Sequence, residues 1–292
     1  MKKILAVAVA TAISAPAMAD LTIGGSADYF LSSTSGDAKD SLETNLDFTA
    51  TTTADNGVFA KAYLQLESFN AGGVDGQTAN TNGTGSDFDI DDNYLEIGNA
   101  SASVKVGAFA VNTAFNSGDD DFRVAAPSYE GKSVWLASGT QDVALTVNAA
   151  EGVVVQYATT LDATDEEAYQ LFASAALGAV SVAVEYENVE ASGVQDDAKT
   201  GFGLSASTDL SGVGLVVSYA ENEAGANSTV FQANYAGGQL NIQNDDTAAG
   251  VSETSWYGAY ALPMDLAGAK ITIGAGADDN DELVGARIDY KF

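Results

Sequence analysis

The sequence predicts an all-β fold, a transmembrane antiparallel β-barrel of 16 strands, on three observations. Apolar and polar residues alternate at period two in segment after segment, each about one bilayer crossing long. Short turn signals alternate with longer polar connections along the chain. After the leader nothing approaches the roughly 18 consecutive apolar residues of a spanning helix. The nearest stretch, Leu171 to Val184, is broken by Ser174, Gly178 and Ser181.

The chain begins with Lys2 and Lys3, a largely apolar run from Ile4 to Ile13, and the small-x-small pattern Ala17-Met18-Ala19. This is the layout of a signal peptide, residues 1–19, cleaved before Asp20. As a helical anchor the run falls well short of the roughly 20 residues needed. Residues 20–292 form one predicted domain, since no Pro-rich linker or composition break divides them.

The strands follow in order. Leu42, Thr44, Leu46, Phe48 and Ala50 share one face, with Glu43, Asn45, Asp47 and Thr49 on the other. Val58, Ala60, Ala62, Leu64 and Leu66 alternate with Lys61, Tyr63, Gln65 and Glu67. Val180, Val182, Val184 and Tyr186 oppose Ser181, Glu185 and Glu187, and Phe231, Ala233 and Tyr235 oppose Gln232 and Asn234. A soluble sandwich would bury the apolar faces and fill them with large residues. Here many apolar-face positions are Ala, Gly or Thr while the polar faces carry Asp, Glu, Asn and Gln, which suits an interior that holds water.

Tight turns are predicted at Asp55-Asn56-Gly57, Leu177-Gly178-Ala179, Asp209 to Gly212, Ala236 to Gly238 and Met264 to Gly268. Loops are predicted at 34–41, 70–92, 111–131, 188–200, 221–227, 245–252 and 278–282. Taken singly the segments number seventeen. A chain that starts and ends on the same side must cross an even number of times. Ser133–Ser138 and Asp142–Asn148 therefore count as one strand, bulged at Gly139, which gives 16; 18 is the alternative.

Charge and composition remove several functions. Asp and Glu number 41 against 11 Lys and Arg, for a formal net charge of −30. A nucleic-acid partner is not expected, because phosphate contacts need a basic face. Without His or Cys, imidazole-base and thiolate catalysis are unavailable. No carboxylate pair is singled out either, so no enzyme is expected. The acidic runs Asp87-Phe88-Asp89-Ile90-Asp91-Asp92 and Asp278-Asp279-Asn280-Asp281-Glu282 have the oxygen ligands that Ca²⁺ takes. The first lacks the central Gly and later Glu of an EF-hand loop, so solvated charge is preferred and no cofactor is expected.

Three stretches carry a family resemblance. Asp20-Leu21-Thr22-Ile23-Gly24-Gly25-Ser26-Ala27-Asp28, the run from Tyr94 to Phe109, and the ending Val284-Gly285-Ala286-Arg287-Ile288-Asp289-Tyr290-Lys291-Phe292 resemble the first strand, the fourth and fifth strands, and the closing strand of the general Gram-negative porins. The resemblance implies a trimeric, 16-stranded barrel in the cell outer membrane, with turns in the periplasm and loops outside. Its partners would be outer-membrane lipid, lipopolysaccharide and the barrel-insertion machinery, which would read Tyr290 and Phe292. It implies passive diffusion of small hydrophilic solutes and ions through a water-filled pore. It places the constriction in loop 111–131, whose acidic residues are Asp119, Asp120, Asp121 and Glu130.

The family sets arginines opposite that loop. Here Asn93 stands where an Arg is often found, and the pore-lining basic residues reduce to Lys61, Lys105 and Arg287 on the wall, Lys132 at a strand start and Arg123 within the loop itself. With acidic residues dominant, the pore is expected to prefer cations. A substrate-specific channel, for a sugar for example, and a non-conducting barrel serving as adhesin or receptor are the alternatives.

Overall fold

The computed structural model describes residues 20–34, 37–71, 89–115, 141–160, 168–189, 199–246, 250–262, 267–277 and 282–292. In chain order the strands are β1 (Asp20–Thr34), β2 (Asp37–Thr53), β3 (Phe59–Ala71), β4 (Asp89–Gly98), β5 (Ala102–Phe109), β6 (Gln141–Ala150), β7 (Val153–Thr159) and β8 (Ala168–Leu177). They continue as β9 (Val180–Val189), β10 (Lys199–Leu210), β11 (Val213–Asn222), β12 (Asn227–Tyr235), β13 (Gly238–Asp246), β14 (Ser252–Ala261), β15 (Ala269–Ala277) and β16 (Glu282–Lys291). Each pairs antiparallel with its sequence neighbours, and β1 pairs with β16, so the sheet closes on itself and has no edge. The count is 16, as parity requires.

Several boundaries differ from the sequence reading. Residues 37–41, expected in a loop, belong to β2, and Asp89 to Asp92 belong to β4. In both places the alternation of the strand runs on through polar residues, because strand pairing and not hydropathy sets where a ladder stops. The strand expected from 133 is β6 from Gln141; its earlier half and the bulge at Gly139 lie outside the described residues.

The tight turns sit where Gly and its neighbour accept positive φ. Ser211-Gly212 has φ of 57° and 88°, Ala236-Gly237 47° and 83°, and Ala267-Gly268 57° and 94°. Positive φ at both central residues is the type I′ signature, whose twist matches that of the strands it joins.

The two faces are inverted relative to a soluble protein. Leu171, Val184, Phe202, Val217, Phe231 and Ile242 are exposed, while the residues alternating with them, among them Gln170, Glu185, Ser218, Gln232 and Gln243, are buried. The exposed apolar face is the outside of the barrel and suits lipid; the polar face is the inner wall. Aromatic rings mark the outer face near the loop end, with Tyr157 against Tyr169 at 6.5 Å, Tyr169 against Tyr186 at 6.1 Å and Phe202 against Tyr219 at 5.8 Å. At the turn end stand Tyr235, Tyr260, Tyr290 and Phe292. Two such girdles bounding an apolar band are what a membrane barrel presents to the headgroups. Among the described residues no helix is long and apolar enough to cross a membrane.

The chain closes its own seam at Phe292. The Gly25 N–H donates to the Phe292 carbonyl at 3.0 Å, and the Phe292 N–H donates to the Gly25 carbonyl at 3.1 Å. A Cβ on Gly25 would stand 2.8 Å from Cζ of Phe292 and 2.3 Å from the Asn45 carbonyl oxygen. The glycine is therefore the socket for the terminal ring, whose other contact is Tyr290, stacked at 6.2 Å.

Candidate functional site

The inner wall is built differently on two arcs. On β3–β5 the register sets Lys61 opposite Glu96 and Glu96 opposite Lys105, with Tyr63 opposite Tyr94 and Tyr94 opposite Gly107. All of these alternate with the exposed apolar residues and so face the lumen. Lys105, Gly107 and Phe109 follow one another along the inner face of β5, and the glycine leaves room for the Tyr94 ring to lie between its two neighbours. Gly107 has φ of 122°, and a Cβ there would lie 2.1 Å from the Asn93 carbonyl oxygen. No other residue fits that approach.

Two lysines converge on this ring. The Lys105 ammonium stands 4.5 Å from the Tyr94 centroid and 5.0 Å from that of Phe109. Lys61 lies 5.3 Å from the Tyr94 centroid, 5.4 Å from that of Tyr63, and donates to the Tyr94 hydroxyl at 2.9 Å. Ammonium over an aromatic face gains about 0.5–2 kcal/mol, depending on how far it is desolvated. Tyr63 and Tyr94 pack at 5.1 Å, and Phe109 meets Tyr94 edge-on at 6.1 Å. The Tyr63 hydroxyl donates to Asp47 at 2.6 Å, and Gln65 Nε2 donates to the same oxygen at 3.0 Å, which ties the patch to β2. Asn93, by contrast, pairs with Leu64 and is exposed on the outer face, so an arginine at that position would not reach the lumen.

On β7–β9 the inner wall holds backbone. Immediately after Phe109 the chain turns inward, and residues 110–115 lie against this arc. The Asn112 N–H donates to Gln156 Oε1 at 2.9 Å, and Gln170 Nε2 donates to the Asn112 carbonyl at 3.0 Å. Glu185 Oε2 accepts from the Thr113 hydroxyl at 2.7 Å and, by a short bond, from the Ala114 N–H. Gln156 is braced in turn, its Nε2 donating to Thr146 at 3.0 Å. Ala114 is 2% exposed and Glu185 4%. The beginning of the predicted constriction loop is thus fastened inside the barrel, across three strands.

A third cluster lies at the seam. Arg287 is on the inner face of β16, between Asp28 of β1 at 3.3 Å and Asp289 of its own strand, with its guanidinium 4.9 Å from the Phe30 centroid. Its charge is shared between two carboxylates, unlike those of Lys61 and Lys105. The remaining residues expected at the pore, Asp119, Asp120, Asp121, Arg123, Glu130 and Lys132, lie outside the described residues.

Sequence reading missed Gln156, Gln170 and Glu185 as anchors. Alternation marks each as inward-facing, but the partner they hold is backbone, which no side-chain pattern reveals. It also missed the rings around the lysines, since nothing in a single strand says which residues of the next strand stand beside it.

Closed antiparallel strands, a polar inner wall, two aromatic girdles and a segment, residues 110–115, fastened against that wall describe a pore-forming barrel, and the sequence pattern of the Gram-negative porin family matches residues 6–292. The chain belongs to the Gram-negative porins. No curated protein sequence matches this porin. Among solved structures it resembles a multiply substituted mutant of Rh. blastica porin at 16% identity and a TM-score of 0.65, covering 94% of this chain and 100% of that one. It also resembles a loop-deletion mutant of OmpT, an outer membrane protein of Vibrio cholerae, at 12% identity and a TM-score of 0.68, covering 94% and 99%. At such identities the likeness is one of fold. The porin resides in the outer membrane, and its family and fold are those of channels rather than enzymes.

Proposed function

We propose that this porin passes small hydrophilic solutes by passive diffusion with a preference for cations, and that the loop from residue 111 to 131 narrows its lumen. The observation that carries the reading is the charge of the inner wall. Among the described inward-facing residues, carboxylates such as Asp28, Glu43, Asp47, Glu67, Glu96 and Glu187 outnumber cations, and Arg287 is already held between two of them. A lumen wall on which carboxylates exceed cations in number raises the local concentration of cations and repels anions. The fastening of residues 110–115 to Gln156, Gln170 and Glu185 starts the loop on an inward path. That path would carry Asp119, Asp120, Asp121 and Glu130 into the lumen and add to the same sign of charge.

A trimer is proposed on the outer face of β1–β5. There Leu21, Phe48, Ala50, Ala62, Leu95 and Val106 line an apolar groove of about 480 Å³, of a size to receive side chains of a second copy. Small residues at Ala50 and Ala62 let another wall approach closely.

Recording in a planar bilayer across a KCl gradient tests the channel reading. The expected result is stepwise conductance, in threes for a trimer, with a reversal potential of the sign that K⁺ permeation gives. Anion selectivity would overturn the preference, and an absence of steps would overturn the channel reading itself.

A further inference from the structure

Asn93 puts an amide into the apolar outer wall of β1–β5. Its side chain is exposed, and the ladder row that contains it runs Ile23, Phe48, Leu64, Asn93, Ala108 from β1 to β5. Two residues nearer the turns, the same face carries Ala50, Ala62, Leu95 and Val106; two nearer the loops, Leu46 and Leu66. Asn93 stands five residues from Gly98, the end of β4. At about 3.3 Å per residue and a tilt of about 40°, that is roughly 13 Å along the barrel axis, well inside an apolar band about 25 Å tall. An amide has two N–H donors and a carbonyl acceptor. Among the described residues the Asn93 side chain forms no hydrogen bond. Hydrocarbon offers it none, so lipid is a poor occupant of this face. The missing partner has to be a polar group on another protein, seated in the groove that Asn93 helps to line.

We propose that Asn93 of one copy hydrogen-bonds to Asn93 of the next, around the axis on which three copies of the barrel meet. The proposal rests on the trimer reading and adds what fixes the geometry of the contact. Each copy presents the same face, and in its row the only polar side chain is this amide, so its complement is the same amide on a neighbour. In a ring of three, each Nδ2 donates to the Oδ1 of the following copy, and every carbonyl is used once. Apolar side chains in a groove tolerate sliding, but an amide bonds in one register only. A lone buried Asn sets register and copy number in coiled coils for the same reason. Asn93 is thus a positioning residue for assembly, turned away from the pore.

The chain has no cysteine, so N93C introduces one thiol per copy. A disulfide needs Cα atoms within about 7 Å of each other, which only abutting copies provide. After mild oxidation of the folded protein in detergent, a non-reducing denaturing gel is expected to show about two in three chains as linked pairs and the rest single, since one thiol per copy joins two members of a ring of three. F231C, on the exposed outer face of β12, is the control and is expected to stay unlinked. Linkage at N93C no greater than at F231C would overturn the proposal. Complete pairing would overturn it too, because it means a two-fold contact. N93D sets three carboxylates against one another and is expected to lower the temperature at which the trimer separates, on the order of 10 °C; an unchanged temperature counts against the ring. The folded band of unheated protein on a gel confirms that each variant closes its barrel. Light scattering of the wild type in detergent separates the two readings. A trimer whose N93C variant stays unlinked sinks the amide ring alone, and a monomer sinks the trimer and the ring with it.

Discussion

On β7–β9 the inner wall spends its polar side chains on the chain's own backbone, whereas on β3–β5 it turns charged groups toward the lumen. Gln156, Gln170 and Glu185 are almost inaccessible because residues 112–114 cover them and use their hydrogen bonds. Lys61 and Lys105 remain partly exposed, positioned by rings. Both arcs have the same alternation and the same barrel geometry. What separates them is whether a neighbouring group supplies the donors and acceptors that a polar wall requires, so one arc is a support and the other a working surface.

The contrast can be broken most severely at Gly107. Replacing it with Val puts a Cβ into the Asn93 carbonyl at a positive φ, where strain of about 1–3 kcal/mol adds to the clash. The β3–β5 arc should lose its register, and the unheated protein should run as unfolded on a gel at temperatures the wild type survives. A folded band of unchanged thermal midpoint would show that the close approach is dispensable.

Next in size is the support itself. Glu185→Ala strands the Ala114 N–H and leaves the Thr113 hydroxyl only the Phe115 carbonyl, at a cost of about 1–3 kcal/mol. Release of residues 110–115 should raise single-channel conductance and current noise and speed proteolysis within loop 111–131. Glu185→Gln, which keeps one acceptor oxygen, should restore most of the wild-type behaviour. Conductance unchanged in both variants would separate the anchor from the pore's width.

A smaller change sharpens the other arc. The double variant K61Q/K105Q should raise the K⁺ to Cl⁻ permeability ratio about twofold. If the ratio fell, the lysines would not be facing the conducting path.

The smallest effect is expected from Tyr94→Phe, which keeps the ring and removes only the acceptor of Lys61 at 2.9 Å. A loss of about 0.5–1.5 kcal/mol is expected, visible as a lower melting temperature. An effect as large as that of Gly107→Val would mean that the hydroxyl, not the ring packing, organises the wall.

What the sequence by itself determined was the fold and the assignment of faces. A period of two is a property of the extended chain, so Lys61, Lys105 and Arg287 could be placed on the inner face before any partner strand was known. The even count of 16 followed from both ends lying on one side. The strand limits at residues 37–41 and 89–92 were illegible because polar residues there look like loop, yet their neighbours on β1 and β3 extend the ladder.

Only the tertiary structure decided what each inward residue does. Arg287 reads like the two lysines in sequence, but closure of the barrel brings Asp28 from 259 positions away and, with Asp289, occupies it. Glu185 reads like any lumen carboxylate, but the backbone after Phe109 reaches it from 71 positions away. Alternation fixes the direction of a side chain because it is local. Partnership depends on strand register and on the path of a loop, and these are set by the whole barrel at once.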